Sequence, residues 1–165
     1  MGPFDIDWYG AGLCEDVGSN EVKVDIRVET HRRGLSVFSE NVSLPWGVND
    51  SITVDIKVLV WGNNAWKSFI HQNFGGMCTA FKQYAPEVSR VVFNLFDGAV
   101  DCPNAGKYMF NKVSVPTKVQ GVALPVYGRL RLEIGILKRS NFRRVGCFYL
   151  EADFLPKKFR SMKKN

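Results

Sequence analysis

Residues 52–60 read ITVDIKVLV, and this stretch decides the fold class. Every second side chain is apolar, namely Ile52, Val54, Ile56, Val58 and Val60. The residues between the first four of them are polar or charged. Because successive side chains of a strand point to opposite faces, this alternation predicts a long β-strand with one dry face and one wet face.

The same alternation recurs along the chain. It is present in residues 22–29, 129–136 and 144–154, and two further strands are predicted at residues 35–44 and 108–115. Strands with one dry and one wet face are typical of antiparallel sheets, whereas the strands of a parallel sheet are covered on both faces. The sequence therefore predicts an all-β fold of antiparallel sheets.

One region breaks this rhythm. In residues 66–84 the apolar side chains are three and four positions apart, which predicts a helix interrupted near the glycine pair 75–76. Pro86 ends this helix, and residues 88–96 form a second short helical stripe. The β domain is therefore predicted to carry a short helical insertion.

Length and composition indicate one globular domain. The 165 residues suffice for a sizeable core, and a hydrophobic content of 45% excludes a disordered chain. Apolar runs stay well below the ~20 residues of a membrane span. We predict a single domain over residues 1–156, followed by a basic tail over residues 157–165.

The net charge of +6 is concentrated in this tail, which carries five basic residues and no acid. The rest of the chain holds 17 basic and 16 acidic residues and is nearly neutral. A nucleic-acid-binding protein needs a basic face on its folded part, so we expect no nucleic-acid partner. The tail is either a solvated terminus or a transient contact for anionic lipid head groups of a membrane.

The four cysteines are scattered along the chain at Cys14, Cys78, Cys102 and Cys147. They lack the C-x-x-C spacing of a zinc site or a redox dithiol, and their even number favours disulfides and a secreted protein. Of the three possible connectivities, the nested one is favoured. It pairs Cys14 with Cys147, which ties the two ends together, and Cys78 with Cys102, which pins the insertion.

Two further features concern secretion. Asn41 and Asn49 begin glycosylation sequons, which agree with a secretory route. The first residues, Met-Gly-Pro, lack the basic start and apolar middle of a signal peptide, so we expect a mature form with an added Met1.

The sequence contains few residues in the spacings that are typical of catalytic or metal-binding sites. His31 and His71 stand in no metal-ligand spacing, and motifs for a nucleophile elbow or a phosphate loop are missing from the sequence. Asp97 and Asp101 are close in sequence, but a polar loop beside a disulfide explains them. We therefore predict no enzymatic activity, no cofactor and no metal.

Large aromatic side chains are frequent in turns and in the insertion. Trp46 lies between Pro45 and Gly47, whereas Trp61 and Trp66 flank a Gly-Asn-Asn turn. Such side chains either fold back onto the core or form a rim that meets lipid or an apolar ligand.

Several short motifs carry a resemblance to a known family. Residues 102–108 read CPNAGKY, residues 127–133 read YGRLRLE and residues 144–147 read RVGC, while the start, residues 4–8, reads FDIDW and is followed by Cys14. The chain resembles the ganglioside activator family of lysosomes and its insect chemosensory relatives linked to pheromone detection. Both relate to the wider ML lipid-recognition domain.

The resemblance covers nearly the whole chain and is clearest over residues 102–155. It implies a two-sheet antiparallel β-cup that opens around an apolar cavity for lipid acyl chains, and it implies the nested disulfides. The activator has eight cysteines, whereas this chain has four. We therefore expect a looser region near the cavity mouth, and the activator's head-group specificity does not carry over.

We expect a non-enzymatic, monomeric carrier of fatty-acyl or long hydrocarbon ligands, secreted or in the lysosomal lumen, which serves lipid transfer or chemosensory delivery. Residues 66–96 are expected to form a mobile gate. The expected ligand-binding residues are large and apolar: Val24, Ile26, Trp46, Val54, Ile56, Val58, Trp61, Trp66, Phe69, Phe74, Phe81, Phe96, Leu132 and Ile134. The alternative is an immunoglobulin-like sandwich for protein–protein contact, because the same dry faces would also fill a packed interior.

Overall fold

The computed structural model describes residues 4–32, 35–97, 101–114 and 127–156. Within these residues the chain forms eight strands and two helices. Their order is β1 (Phe4–Leu13), β2 (Lys23–Arg32), β3 (Leu35–Leu44), β4 (Ile52–Gly62), β5 (Ala65–Gly76), α1 (Met77–Tyr84), α2 (Pro86–Asp97), β6 (Gly106–Ser114), β7 (Gly128–Lys138) and β8 (Arg144–Pro156). The predicted tail, residues 157–165, lies outside the described residues.

The strands form two sheets in which every pairing is antiparallel. The larger sheet has the order β1-β8-β7-β4-β5, and the smaller one has the order β2-β3-β6. The predicted antiparallel sheets and the predicted short helical insertion are both confirmed. The alternating residues 52–60 belong to β4, which lies inside the larger sheet between β7 and β5.

The register aligns the dry faces of neighbouring strands. In the larger sheet Val54, Ile56 and Val58 of β4 lie opposite Ile136, Ile134 and Leu132 of β7, respectively. In the smaller sheet the partners of Val24, Ile26 and Val28 of β2 are Val42, Glu40 and Phe38 of β3. Because side chains of cross-strand partners lie on the same face, each sheet presents one continuous inner face to the other sheet.

The two sheets approach each other along β1 and β2. A register shift between Trp8 and Gly10 interrupts the pairing of β1 with β8. The smaller sheet compensates, since the Trp8 amide donates to Ser36 Oγ at 3.2 Å and the Trp8 carbonyl accepts from the hydroxyls of Thr30 and Ser36. These bonds close one side of the sandwich with polar groups that would otherwise be unpaired.

The prediction of helix for residues 66–76 was wrong, because this segment is strand β5 and only residues 77–84 form the first helix. Ile70 and Phe74 are four positions apart. This spacing puts two side chains on the same side of a helix, but an even spacing also puts them on the same face of a strand. The register with β4 shifts between Val58 and Leu59, where Phe69 is the extra residue of β5. This bulge changes the phase of the apolar pattern, so β5 does not show simple alternation.

The disulfides have the nested connectivity. Cys14–Cys147 joins the end of β1 to its sheet neighbour β8, with 5.4 Å between the Cα atoms. Cys78–Cys102 joins α1 to the segment before β6, with 5.8 Å between the Cα atoms. The second disulfide therefore fixes the helices against the smaller sheet. Within the described part of the chain, neither helix has the length and apolarity needed to cross a membrane.

Candidate functional site

The buried core is divided into two clusters. The first lies at the end of the sandwich that holds both disulfides, and strands, helices and the turn after β3 all contribute to it. Its members are Val22, Val42, Leu44, Val48, Ile52, Val54, Met77, Phe93, Ile136 and Val145. We call this set the packed end. The second cluster lies at the other end of the larger sheet and consists of Trp8, Leu130, Ala152 and Phe154.

Between these clusters the inner faces are apolar but incompletely buried. The half-buried residues of this middle region are Val24, Ile26, Val28, Phe38, Ile56, Leu132, Ile134, Phe148 and Leu150. They occupy inward-facing strand positions, which in a closed sandwich interdigitate with the opposite sheet. Of the residues expected to bind ligand, the strands bring Val24, Ile26, Ile56, Leu132 and Ile134 together here. Val54 and Val58 lie on the same face but are fully packed, with exposures of 5% and 3%.

The helices cover one side of the gap between the sheets. Helix α1 contacts β4 and β5, and helix α2 contacts β6. Phe81 of α1 and Phe93 of α2 have ring centroids 5.7 Å apart, and Phe96 stacks on Tyr108 of β6 at 4.9 Å. The expected site residues Phe81 and Phe96 therefore link the helices to each other and to the smaller sheet.

The expected gate, residues 66–96, is not one helical unit. Residues 65–76 belong to the larger sheet through their ladder with β4. Phe74 packs edge-on against Tyr84 of α1 at 4.9 Å between ring centroids, whereas Phe69 is 46% exposed at the bulge. Only α1 and α2 are helical parts of the insertion, and Phe74 joins the strand to the first of them.

The three turn tryptophans do not meet at one end. Trp46 packs against the packed end, and Lys138 Nζ lies 4.6 Å from its ring centroid. Trp61 and Trp66 lie together at the β4–β5 turn, edge to face at 5.2 Å. Arg131 lies 4.7 Å from the Trp66 ring, on the outer face of the larger sheet. Of the two alternatives for these side chains, a rim shared by all three is excluded, because Trp46 and the pair Trp61 and Trp66 lie at opposite ends of β4.

An outer-face cluster surrounds Arg131. Its guanidinium lies 4.4 Å from the Tyr149 ring and donates to the Glu151 carboxylate through Nε at 2.8 Å. A Cβ atom at Gly12 would lie 2.7 Å from the Tyr149 hydroxyl oxygen, so a residue without a side chain is required beneath this ring. This cluster satisfies its charges internally and stabilises the outer surface of the sheet.

Of the titratable residues considered for catalysis, His31, His71 and Asp101 lie apart from one another, and the side chain of Asp97 is not among those described. His71 Nε2 lies 2.6 Å from Asp55 Oδ2 on the outer face of the larger sheet, and His31 is exposed at the end of β2. Asp101 accepts a hydrogen bond from Lys82, which lowers the pKa of its carboxyl. Asp101 also lies near Cys78 and Cys102, but their sulfurs are bonded to each other and offer no thiolate ligands.

The two sequons differ in their surroundings. Asn41 is exposed on the outer face of β3. Asn49 is half-buried, and its side-chain amide donates to the Trp46 carbonyl at 2.7 Å. In the folded protein Asn41 therefore presents the more accessible acceptor nitrogen.

A cleft of about 570 Å³ lies on the outside of the molecule near the start of β2. Charged side chains of both signs line it, including Glu21, Lys23, Asp25 and Lys107. Leu13 and Val24 also line it, so the cleft combines apolar surface with charged groups of both signs.

Sequence reasoning left Val28, Phe38, Phe148 and Leu150 out of the expected ligand-binding set, and it also missed an acidic residue of the inner face, Glu40. It lies on β3 in the same row as Phe38 and Val42, and its partner on β2 is Ile26. Desolvation raises the pKa of its carboxyl from 4.5 to about 7. The signal was present in the sequence, because the alternation of Phe38, Glu40, Val42 and Leu44 assigns all four to one face.

The sequence matches no protein-family model, and no curated protein is significantly similar to it. The fold, the two inner faces and the chemistry of their side chains are therefore the basis for assigning a function.

Proposed function

We propose that this protein is a non-enzymatic carrier that holds the hydrocarbon part of an apolar ligand between its two sheets. The observation that carries the proposal is the half-buried middle region of the two inner faces. Apolar side chains there retain accessible surface while both ends of the core are packed. A bound hydrocarbon chain would remove this apolar surface from water, and the resulting gain in free energy would drive binding.

Burial alone gives useful affinity to such a site. Each methylene group of a ligand that leaves water contributes ~0.8 kcal/mol, so a long alkyl or acyl chain binds without a dedicated polar contact. Selectivity would then follow the length and width of the chain. The sheets supply the walls, the bonds between β1 and the smaller sheet close one side, and α1 and α2 cover the other.

The disulfides support an extracellular or lysosomal setting for this carrier. Two disulfides are typical of proteins that fold in an oxidising compartment. The motifs that resemble the ganglioside activator family agree with lipid transfer or chemosensory delivery. We propose that the carrier acts as a monomer and touches membrane surfaces only in passing.

The second candidate is an immunoglobulin-like interaction module with a packed interior. In that fold the characteristic disulfide crosses from one sheet to the other. Here Cys14 and Cys147 connect β1 and β8, which are neighbours in the same sheet. This connection and the incompletely buried inner faces both favour the carrier.

The test is ligand content and uptake. Organic extraction of the purified protein followed by mass spectrometry should release lipid, and a chain-length series of fatty acids and alkanes should displace a fluorescent fatty-acid probe. Ile134→Trp, which adds volume to the middle region, should reduce probe binding at least tenfold. Glu133→Trp, on the next residue and the opposite face, is the matched control. A folded protein that contains no lipid and binds no probe would contradict the carrier function.

A further inference from the structure

The strand β3 places a carboxyl group on an otherwise apolar inner face. Glu40 lies between Phe38 and Val42 along β3, and its cross-strand partners are Ile26 of β2 and Phe110 of β6. The side chain is enclosed by protein yet only half-buried by accessible surface. Glu40 therefore lies on the same inner face as Phe38 and Val42 and keeps part of its surface accessible.

Charged groups of the neighbouring strands point away from this carboxyl. Asp25 and Arg27 flank Ile26 on β2, so they lie on the outer face, where both are exposed. On β6 the inward neighbour Tyr108 donates its hydroxyl to the Asn104 carbonyl at 2.7 Å. Lys107 lies on the opposite face of β6 from Tyr108 and is exposed.

Most charged side chains of the opposite sheet lie on its outer face. The exceptions among the described residues are Lys67, which is exposed opposite Val60, and Lys138, which lies opposite Ile52 and contacts Trp46 at the packed end. The outer face carries Asp55 and Lys57 of β4, Arg131 and Glu133 of β7, and Tyr149 and Glu151 of β8, because each of them alternates with inward-facing residues. The titratable residues Asp5 and Asp7 of β1 flank Ile6, which packs against the second cluster. Helix α2 packs on β6 and contacts Phe110 through Phe96. The charged residues Glu87 and Arg90 lie more than one helical turn before Phe96. Burial is accordingly the cause of the raised pKa of Glu40, and no charged neighbour among the described residues contributes to it.

A carboxyl group without a partner is costly in such surroundings. Burying a polar group without a compensating hydrogen bond costs free energy, and buried carboxylates in proteins are normally paired or hydrogen-bonded. None of the described residues forms a hydrogen bond or ion pair with Glu40, whose cross-strand partners Ile26 and Phe110 are both apolar. A ligand is the component that would satisfy it.

We propose that Glu40 binds the polar head of the ligand inside the interior, and that the preferred head is a hydrogen-bond donor such as an amine or a hydroxyl. This inference rests on the proposed carrier function and specifies its ligand class as long-chain amines and alcohols over free fatty acids. An ammonium group would form an ion pair with the ionised carboxylate, and a hydroxyl would donate to it. A carboxylate head would place two like charges together, which disfavours binding.

The preference depends on pH. Well above pH 7 Glu40 is ionised, so an ammonium head is attracted and a carboxylate head is repelled. Well below pH 7 Glu40 is protonated and donates one hydrogen bond, so the neutral carboxyl no longer repels a fatty acid. The discrimination between amine and acid should therefore be larger at pH 8.5 than at pH 5.5.

The experiment compares dodecylamine, dodecanol and dodecanoate, which share one chain length, as competitors of a fluorescent alkyl probe. At pH 8.5 the wild-type protein should bind dodecylamine about tenfold or more tightly than dodecanoate, a ratio that corresponds to about 1.4 kcal/mol. At pH 5.5 this ratio should shrink. In Glu40→Gln the ratio of amine to carboxylate affinity at pH 8.5 should fall to the value that wild type shows at pH 5.5. Glu29→Gln, on the exposed face of β2, should keep the wild-type ratio at pH 8.5.

The outcomes separate the two proposals. If all three ligands bind with equal affinity at both pH values and Glu40→Gln changes nothing, the role of Glu40 is wrong while the carrier function stands. If a folded protein binds none of them, the carrier function itself fails. The pH dependence of the wild-type ratio needs no variant, so the inference stays testable even if Glu40→Gln alters folding.

Discussion

The packed end and the middle region use the same strands but reach different degrees of burial. Ile136 at the packed end is 2% exposed, whereas Ile134, two positions earlier on β7 and on the same face, is half-buried. At the packed end Val48 from a turn, Met77 from α1 and Phe93 from α2 fill the gap between the sheets. Most side chains of the middle region pack against one or the other core cluster but keep part of their surface accessible. An apolar strand face is therefore necessary for a packed core, but side chains from the helices and the turn are needed to fill the space between the two sheets.

The largest expected effect concerns the disulfide beside the packed end. Its loop spans 133 residues, so loss of Cys14–Cys147 in the Cys14→Ser/Cys147→Ser variant should lower the free energy of unfolding by ~5 kcal/mol in the chain-entropy treatment. Cys78→Ser/Cys102→Ser, whose loop spans 24 residues, should cost ~3.5 kcal/mol. Urea unfolding measures both. Equal losses in the two variants would show that loop length does not govern them.

The second prediction separates the two regions directly. Ile136→Ala should lower the free energy of unfolding by about 4 kcal/mol, because it leaves a cavity in packed surroundings. Ile134→Ala should cost about 1 kcal/mol and should weaken binding of an alkyl probe, since its side chain already borders accessible space. Urea unfolding and probe titration of both variants make the comparison. Similar stability losses would mean that the middle region is packed as tightly as the end.

The third prediction concerns the carboxyl of the middle region and stability against pH. The folded protein raises the pKa of Glu40 from 4.5 to about 7, so the folded state binds this proton more tightly than the unfolded state. Stability is therefore lost as pH rises from about 4.5 through 7, and the full penalty at pH 8.5 is about 3 kcal/mol. Glu40→Gln should be more stable than wild type by about this amount at pH 8.5 and equally stable at pH 4.

Thermal or urea unfolding across this pH range checks the third prediction. Glu29→Gln on the exposed face of β2 is the control and should follow the wild-type curve. A Glu40→Gln curve parallel to wild type at all pH values would indicate that the carboxyl is solvated in the folded protein.

The smallest effect is expected on the outer face of the larger sheet. Trp66→Leu removes the contact with Trp61 and the cation–π contact with Arg131 and should cost about 1 kcal/mol in urea unfolding. Because the Trp66 ring lies on the opposite face from the middle region, alkyl-probe affinity should stay within twofold of wild type. A tenfold loss of affinity would instead place Trp66 at the ligand.

Much of the fold could be predicted because the alternation is local. The strands β2, β3, β4, β7 and β8 each show an apolar residue at every second position over many residues. Strand β1 could not be found this way, since its central Tyr-Gly-Ala-Gly run has small residues and a bulge. The pattern of β5 predicts a helix instead of a strand, because the bulge at Phe69 shifts its alternation by one position. Bulges depend on the partner strand, which local sequence does not reveal.

The candidate site was predictable only in part. The dry faces that supply Ile26, Ile56 and Ile134 follow from alternation, and the same rule would have placed Glu40 among them. The positions of Trp46 and Trp66 at opposite ends of β4 did not follow from sequence, because both simply neighbour turns. Their orientation depends on Lys138 and Arg131, which are distant in sequence.

The sequence by itself determined the strand periodicity, the antiparallel class and a favoured disulfide pairing, since these depend on neighbouring residues and on cysteine positions. The tertiary structure alone decided that β5 joins the larger sheet, that α1 and α2 fill one end, and that the middle region stays accessible. These features depend on which elements lie opposite each other in space. The physical reason is that a side chain's hydrophobicity fixes which face of a strand is dry, whereas the separation and covering of the sheets fix whether that face is packed.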